Sequence, residues 1–175
     1  MSGPLRMMAP YALPDPFFLL EKFCKMKHEK TIEILTRGVC VKDGHLLVCQ
    51  SKGAANTYLP GGHVEWQEQA DVALKREIQE ELGVKSVVKE FLGAVEHTFM
   101  QKGRRHCEIN LVFRMEIASL SPGKDPAACE QWISFKWIPL NALGRNHLEP
   151  WPLRKLIPAW VKGLPKASRW GSTLK

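Results

Sequence analysis

Between Gly62 and Val84 the chain reads GHVEWQEQADVALKREIQEELGV, where glutamates recur at spacings that can serve chemistry. Glu77, Glu80 and Glu81 stand at i, i+3 and i+4, so a helix here projects all three carboxylates from one face, over an arc of roughly 100°. Leu74, Ile78 and Leu82 form a neighbouring stripe that can face a core. Like charges at this spacing destabilise a helix by ~0.2–0.5 kcal/mol per pair. A hard divalent cation reverses the sign: Mg²⁺ takes oxygen ligands, keeps several waters and leaves positions for phosphate oxygens. The competing reading is a solvated, charge-rich face with Lys75 and Arg76 each neutralising one carboxylate. The flanks favour the cation. Gly61-Gly62 forms a turn that can bring backbone carbonyls near a metal, Glu68 is placed to reach Arg76 across the loop, and Gly83 closes the helix.

The surrounding elements have to hold this stretch. Thr31–Val41 reads as a strand, Asp43-Gly44 as a tight turn and His45–Gln50 as the returning strand of a hairpin. A helix is expected over Ala70–Leu82, strands over Val87–Phe99 and His106–Ile117 around the turn Gln101–Arg104, and a short strand over Trp132–Ile138. Pro152–Val161 has Leu153, Leu156 and Trp160 at helical spacing, with Pro158 expected to kink or delay that helix. Residues 1–16 hold four prolines and read as an extended arm, and residues 17–30 as a short helix or strand. The division expected is 1–30 N-terminal extension, 31–163 catalytic domain and 164–175 basic, frayed tail. Strands and helices are mixed without regular βαβ alternation, which favours an α+β class.

The residues from Gly62 onward match the Nudix box: Gly, five residues, Glu, seven residues, Arg-Glu, an aliphatic, any residue, Glu-Glu, any residue, Gly and an aliphatic. Gly62, Glu68, Arg76, Glu77, Ile78, Glu80, Glu81, Gly83 and Val84 supply it without departure. In this the chain resembles the Nudix hydrolase family. The resemblance implies an α/β/α sandwich with a mixed sheet and a catalytic loop-helix-loop, and hydrolysis of a pyrophosphate bond in a nucleoside diphosphate linked to another moiety. It implies divalent metal, Mg²⁺ or alternatively Mn²⁺, on Glu77, Glu80, Glu81 and the carbonyl of Gly61. Arg76 then orients Glu77 and pairs with Glu68, as support alongside Gly62 and Gly83. Metal ions neutralise phosphate charge and lower the pKa of bound water, and a nearby carboxylate takes the proton. That base is a box glutamate or a later acid, Glu130 before Asp125.

The box leaves the substrate open. Thr98, Phe99 and Met100 stand where subfamilies acting on ADP-ribose or dinucleoside polyphosphates carry a proline or a tyrosine, so neither marker is present. His106, Glu108 and Asn110 alternate on one strand face opposite Ile109, Leu111 and Phe113, and the polar trio is read as facing either a cleft or solvent. Tyr58 and Trp66 are candidates to stack on a base, or else packing aromatics. Arg37, His97, Arg104 and Arg105 are candidate phosphate contacts, the last two equally a solvated hairpin tip.

Composition narrows the setting. The 175 residues are 45% hydrophobic, which suits one compact domain rather than a disordered chain. No apolar run approaches the ~18 residues of a membrane span, and no signal peptide is expected. The five cysteines are scattered without a C-x-x-C pair, so free buried thiols in a reducing cytoplasm are expected. The formal charge of +7 favours anionic partners: nucleotides, nucleoside-diphosphate-linked small molecules, or RNA. The expected activity is thus hydrolysis of nucleoside triphosphates or other nucleoside diphosphate derivatives. RNA 5′-end pyrophosphohydrolysis and a non-catalytic nucleotide-binding module are the alternatives, and a homodimer is compatible with the resemblance.

Overall fold

The computed structural model describes residues 30–101 and 103–174. The proline-rich arm, Cys24 and the segment read as a short helix or strand lie outside these residues, Lys30 excepted.

The strands are β1 (Glu33–Val39), β2 (Val41–Lys42), β3 (His45–Ser51), β4 (Val87–Gln101), β5 (Arg104–Glu116), β6 (Ile133–Pro139) and β7 (Trp170–Ser172). Among the described residues the helices are α1 (Ala70–Leu82) and α2 (Leu153–Val161), with a 3-10 turn at Leu140–Ala142. One sheet has the order β1-β5-β4-β7 and the other β2-β3-β6. The first is mixed: β1 is parallel to β5, β5 antiparallel to β4, and β4 parallel to β7.

Two apolar clusters fix where the helices lie. Leu74, Ile78 and Leu82 of α1 pack with Leu47, Cys49, Met115 and Phe135. Leu153, Ile157 and Trp160 of α2 pack with Leu46, Val48, Val95 and Val112. Neighbours Leu46 and Leu47 of β3 point to opposite clusters, as the two-residue period of a strand requires. The sheets are thus covered on both faces, one helix to each: the mixed α/β sandwich that the box implied.

Four expectations change. The hairpin is shorter than its sequence suggests. Only Val41↔Leu46 and Lys42↔His45 pair across the Asp43-Gly44 turn, where both residues have positive φ. β1 separates at Cys40 and joins the other sheet beside β5. The segment read as a frayed tail contributes β7 instead, paired with Ala94–Glu96. Gly93 lets it approach, because a Cβ there would meet the Arg169 carbonyl. Pro158 does not interrupt α2, which runs through it from Leu153 to Val161. The thiols also divide: Cys40 and Cys49 are buried, Cys107 is half-buried and Cys129 is exposed.

Candidate active site

The loop before α1 lies along β1 and so sets where the box begins. Thr36 and Gly38 donate to the carbonyls of Gly62 and Pro60, both at 2.9 Å, and Val64 donates to Ile34 at 3.0 Å. Gly61 has φ +124°, and a Cβ there would run into the Thr36 carbonyl, so glycine is required on both counts. At Gly62 a Cβ would occupy the place of the Glu77 carboxylate. At the other end of α1, Gly83 adopts φ 67° and donates to the Gln79 carbonyl at 3.0 Å, a left-handed cap.

Arg76 ties loop to helix. Its Nε and Nη2 each donate to Glu68 at 2.9 Å, a two-pronged pair. Nη1 donates to Glu77 at 2.9 Å and Glu80 at 3.1 Å, and Nη2 also reaches the His63 carbonyl at 3.0 Å. The guanidinium holds the Glu68 carboxyl below its ordinary range. Glu77 and Glu80 are therefore drawn to Arg76, while Glu81 turns inward and is 5% exposed, with Oε2 buried and without a hydrogen-bond partner. Burial pushes the Glu81 carboxyl up to about 7 against the pull of the Arg37 guanidinium, and the Glu77 and Glu130 charges add to the rise.

Among the described residues no three carboxylate, imidazole or thiol groups converge on one point. The donor set nonetheless suits a hard cation: the carbonyl of Gly61 and three carboxylates on one helical turn, one of them, Glu81, with a buried oxygen that lacks any partner. A buried unpartnered oxygen of this kind costs ~1–3 kcal/mol unless something satisfies it.

These groups open on a cleft of about 860 Å³. Gly61, Gly62, Glu77, Glu80 and Glu81 line one part, with Glu130 and the half-exposed Trp132 nearby. Asp125 instead accepts from the Trp137 amide at 3.0 Å, a structural role. Of the residues proposed for substrate, Arg37, Tyr58, His106, Glu108 and Asn110 all line the cleft. Trp66 does not; it is 91% exposed, neither packed nor at the cleft. Tyr58 donates to or accepts from Ser51 at 2.7 Å, and burial pushes its phenol up to about 12. Arg104 and Arg105 are exposed at the β4–β5 tip and are not among the cleft's lining residues.

The strand face carrying His106, Glu108 and Asn110 turns to the cleft and continues into buried Val112. Ile109 and Leu111, read as core-facing, are only partly buried and belong to neither apolar cluster. Further along the same face Phe113 packs against the apolar cluster of α1 and Met115 is buried in it, while Val112 is buried on the polar trio's own face.

Sequence reading named His97 and His106 singly but passed over the stack they form with Phe99, and passed over Glu33. His97, Phe99 and His106 form a stack, with ring centroids 5.0 and 5.1 Å apart and planes inclined by 22° and 12°. The signal was the i, i+2 spacing of His97 and Phe99 on β4, with Phe99 opposite His106 on β5. Burial, and then the Arg37 charge, hold the His97 imidazole below its ordinary range. Glu33 contacts both His63 at 2.9 Å and His106 at 3.0 Å, joining the box loop to this stack. Hydrogen bonds from the two imidazoles lower the Glu33 carboxyl.

The family model for the NUDIX domain matches residues 34–160. Among solved structures, the chain is similar to the MutT protein of Methanosarcina mazei, with 23% identity over 79% of this chain and 99% of that one, at a TM-score of 0.59. A NUDIX hydrolase from Nitrosomonas europaea is 19% identical over 76% of this chain and 90% of its own, at 0.60. A UDP-X diphosphatase is 17% identical over 90% of this chain and 75% of its own, at 0.57. At such identities the likeness is one of fold.

Proposed function

This chain belongs to the Nudix hydrolase family, its NUDIX domain spanning residues 34–160, and on that premise we propose that it is a divalent-metal-dependent pyrophosphohydrolase. Its substrates are nucleoside triphosphates or other nucleoside diphosphate derivatives. The observation that carries this reading is the buried, unpartnered carboxylate oxygen of Glu81, set beside Gly61 and Glu77 in a cleft with an aromatic wall. Glu77, Glu80, Glu81 and the Gly61 carbonyl are the residues that would hold Mg²⁺ or Mn²⁺. The cation supplies neutralisation of phosphate charge and a more acidic water.

The chain's own residues do the rest. Arg76 holds Glu77 and Glu80 on one side of α1 and fastens them to the loop through Glu68. The stack of His97, Phe99 and His106 offers a π-face to the nucleobase, while Glu108 and Asn110 present polar atoms beside it. The attacking water gives its proton to a box glutamate or to Glu130, which lines the same cleft.

The test is product release from a nucleotide panel with Mg²⁺. Glu80→Gln and Glu81→Gln are each expected to lose at least about 10²-fold in turnover. Unchanged turnover in both would remove them from the chemistry. Glu130→Gln separates the two candidate bases. A loss of about 10²–10⁴ in kcat with metal affinity retained assigns the proton to Glu130, and retained turnover assigns it to the box.

A further inference from the structure

We propose that Arg37 is a positioning residue for the metal end of the cleft, pinning the Gly61 carbonyl through a guanidinium anchored on Asn110. The inference rests on the reading of Gly61, Glu77, Glu80 and Glu81 as the cation-holding set. Arg37 projects from β1 with its Nε and Nη1 on protein acceptors. Nη1 donates to the carbonyls of Gly61 at 2.5 Å and Leu59 at 3.2 Å, and Nε donates to Asn110 Oδ1 at 3.1 Å. Asn110 is 1% exposed, and its amide nitrogen is held in turn by the Val95 carbonyl at 3.4 Å and Glu108 at 3.3 Å. The Tyr58 ring lies 5.5 Å beneath the guanidinium carbon.

Gly61 has no side chain of its own to fix its peptide, and its φ of +124° is a conformation that a glycine leaves as readily as it enters. The carbonyl direction must be imposed from outside. Gly62 and Pro60 on either side are held by β1 amides. Gly61, in between, turns its oxygen the other way, and Arg37 is what receives it. Arginine suits the task because its planar fork spans two carbonyls and an amide oxygen in one rigid group, which a lysine point charge cannot do.

The alternative role, a phosphate contact, predicts the opposite sign. A guanidinium close enough to act on Glu81 repels a cation there, so its removal as a mere charge leaves cation binding unchanged or tighter and raises the nucleotide KM. As a clamp, its removal loosens the cation. The experiment is Mn²⁺ titration of the nucleotide-free protein, read by electron paramagnetic resonance, with KM and kcat measured alongside. Arg37→Met is expected to weaken Mn²⁺ binding about tenfold or more, as does loss of other groups that orient metal ligands. Asn110→Leu is expected to weaken it in the same direction, and the double variant Arg37→Met with Asn110→Leu to be no weaker than Arg37→Met alone.

Unchanged or tighter Mn²⁺ binding in Arg37→Met, with KM raised, overturns the proposal and makes Arg37 a phosphate ligand. If Arg37→Met does not fold, Arg37→Lys and Asn110→Leu carry the same measurement with the same two outcomes. A wild-type protein that takes up no Mn²⁺ overturns the metal reading and the clamp together. That result is distinct from a wild type that binds Mn²⁺ and an Arg37 variant that binds it equally well.

Discussion

Glu81 carries opposing demands in one side chain: a carboxyl 5% exposed, one oxygen unpartnered, and two further glutamates adding negative charge nearby. Burial is the largest effect and lifts it from an ordinary 4.5 to about 7. The consequence for stability has a definite sign. Below pH 4.5 the carboxyl is protonated in the folded and unfolded states alike, and nothing is lost. Between 4.5 and 7 the unfolded chain gives up the proton while the folded one keeps it, so stability falls as pH rises through that window. Above 7 the loss is complete, on the order of 3 kcal/mol. Glu81→Gln removes the charge and keeps the shape. Without metal, its Tm is expected to match the wild type at pH 4 and to exceed it by an increasing margin up to pH 7 and beyond. A margin that stays flat across this range would falsify the assignment of a raised proton affinity to Glu81. Added Mg²⁺ should erase the wild-type deficit, because a bound cation favours the ionised carboxyl and releases its proton.

At the scale of elements, the unexpected piece is β7. Its segment couples the end of the chain to both a helix and the cleft wall. Ala94 donates to the Arg169 carbonyl at 2.8 Å, Trp160 Nε1 to the Ser168 carbonyl at 2.8 Å, and Thr173 donates its amide to Glu96 at 3.1 Å. The Thr173 hydroxyl meets the Thr98 amide at 3.0 Å and His97 Nδ1 at 3.2 Å. Net hydrogen bonds contribute ~1 kcal/mol each, and a domain of this size moves roughly 2–4 °C per kcal/mol. Ending the chain at Gly163 is therefore expected to lower Tm by roughly 10 °C. It should also raise KM for nucleotide, since His97 of the ring stack loses its partner. A truly frayed tail would leave both unchanged. This strand was not legible because its register is set by backbone groups, and a run such as Arg169-Trp170-Gly171-Ser172 has no apolar alternation to announce it. The helix α1 was legible to the residue, because Leu74, Ile78 and Leu82 mark its buried face and Gly83 its end. β1 was legible as a strand but not in its partner, since periodicity says nothing of which distant segment a strand will join. Arg37 shows the same limit within the site: its type and place could be read, but not the carbonyls that occupy it.

Over the whole molecule, charge is segregated rather than merely positive. The chain carries a formal +7, yet seven glutamates line the cleft and Arg37 is the only lysine or arginine among its described lining residues. Among the described residues, exposed lysines and arginines stand outside the cleft lining, including Lys52, Arg104, Arg105, Lys162 and Lys166. A pyrophosphate-bearing ligand thus meets attraction at long range and repulsion at the cleft itself. Like charges 4 Å apart near a surface oppose each other by about 4 kcal/mol, so the last step of binding needs a cation between them. Nucleotide affinity measured by calorimetry in EDTA is accordingly expected to fall at least about tenfold below that in Ca²⁺, a hard, oxygen-preferring ion that replaces Mg²⁺ as a counter-charge. Equal affinity in the two would mean that the basic surface alone binds the ligand. That outcome would favour the RNA reading, in which contacts to successive phosphates give a steep fall of affinity with salt. A single nucleotide held by one cation has few phosphates to release counterions, so its affinity in Ca²⁺ should decline only shallowly between 50 and about 200 mM salt. The two slopes separate a protein that grips a strand along its surface from one that admits a small anion to a carboxylate-lined cleft through the metal.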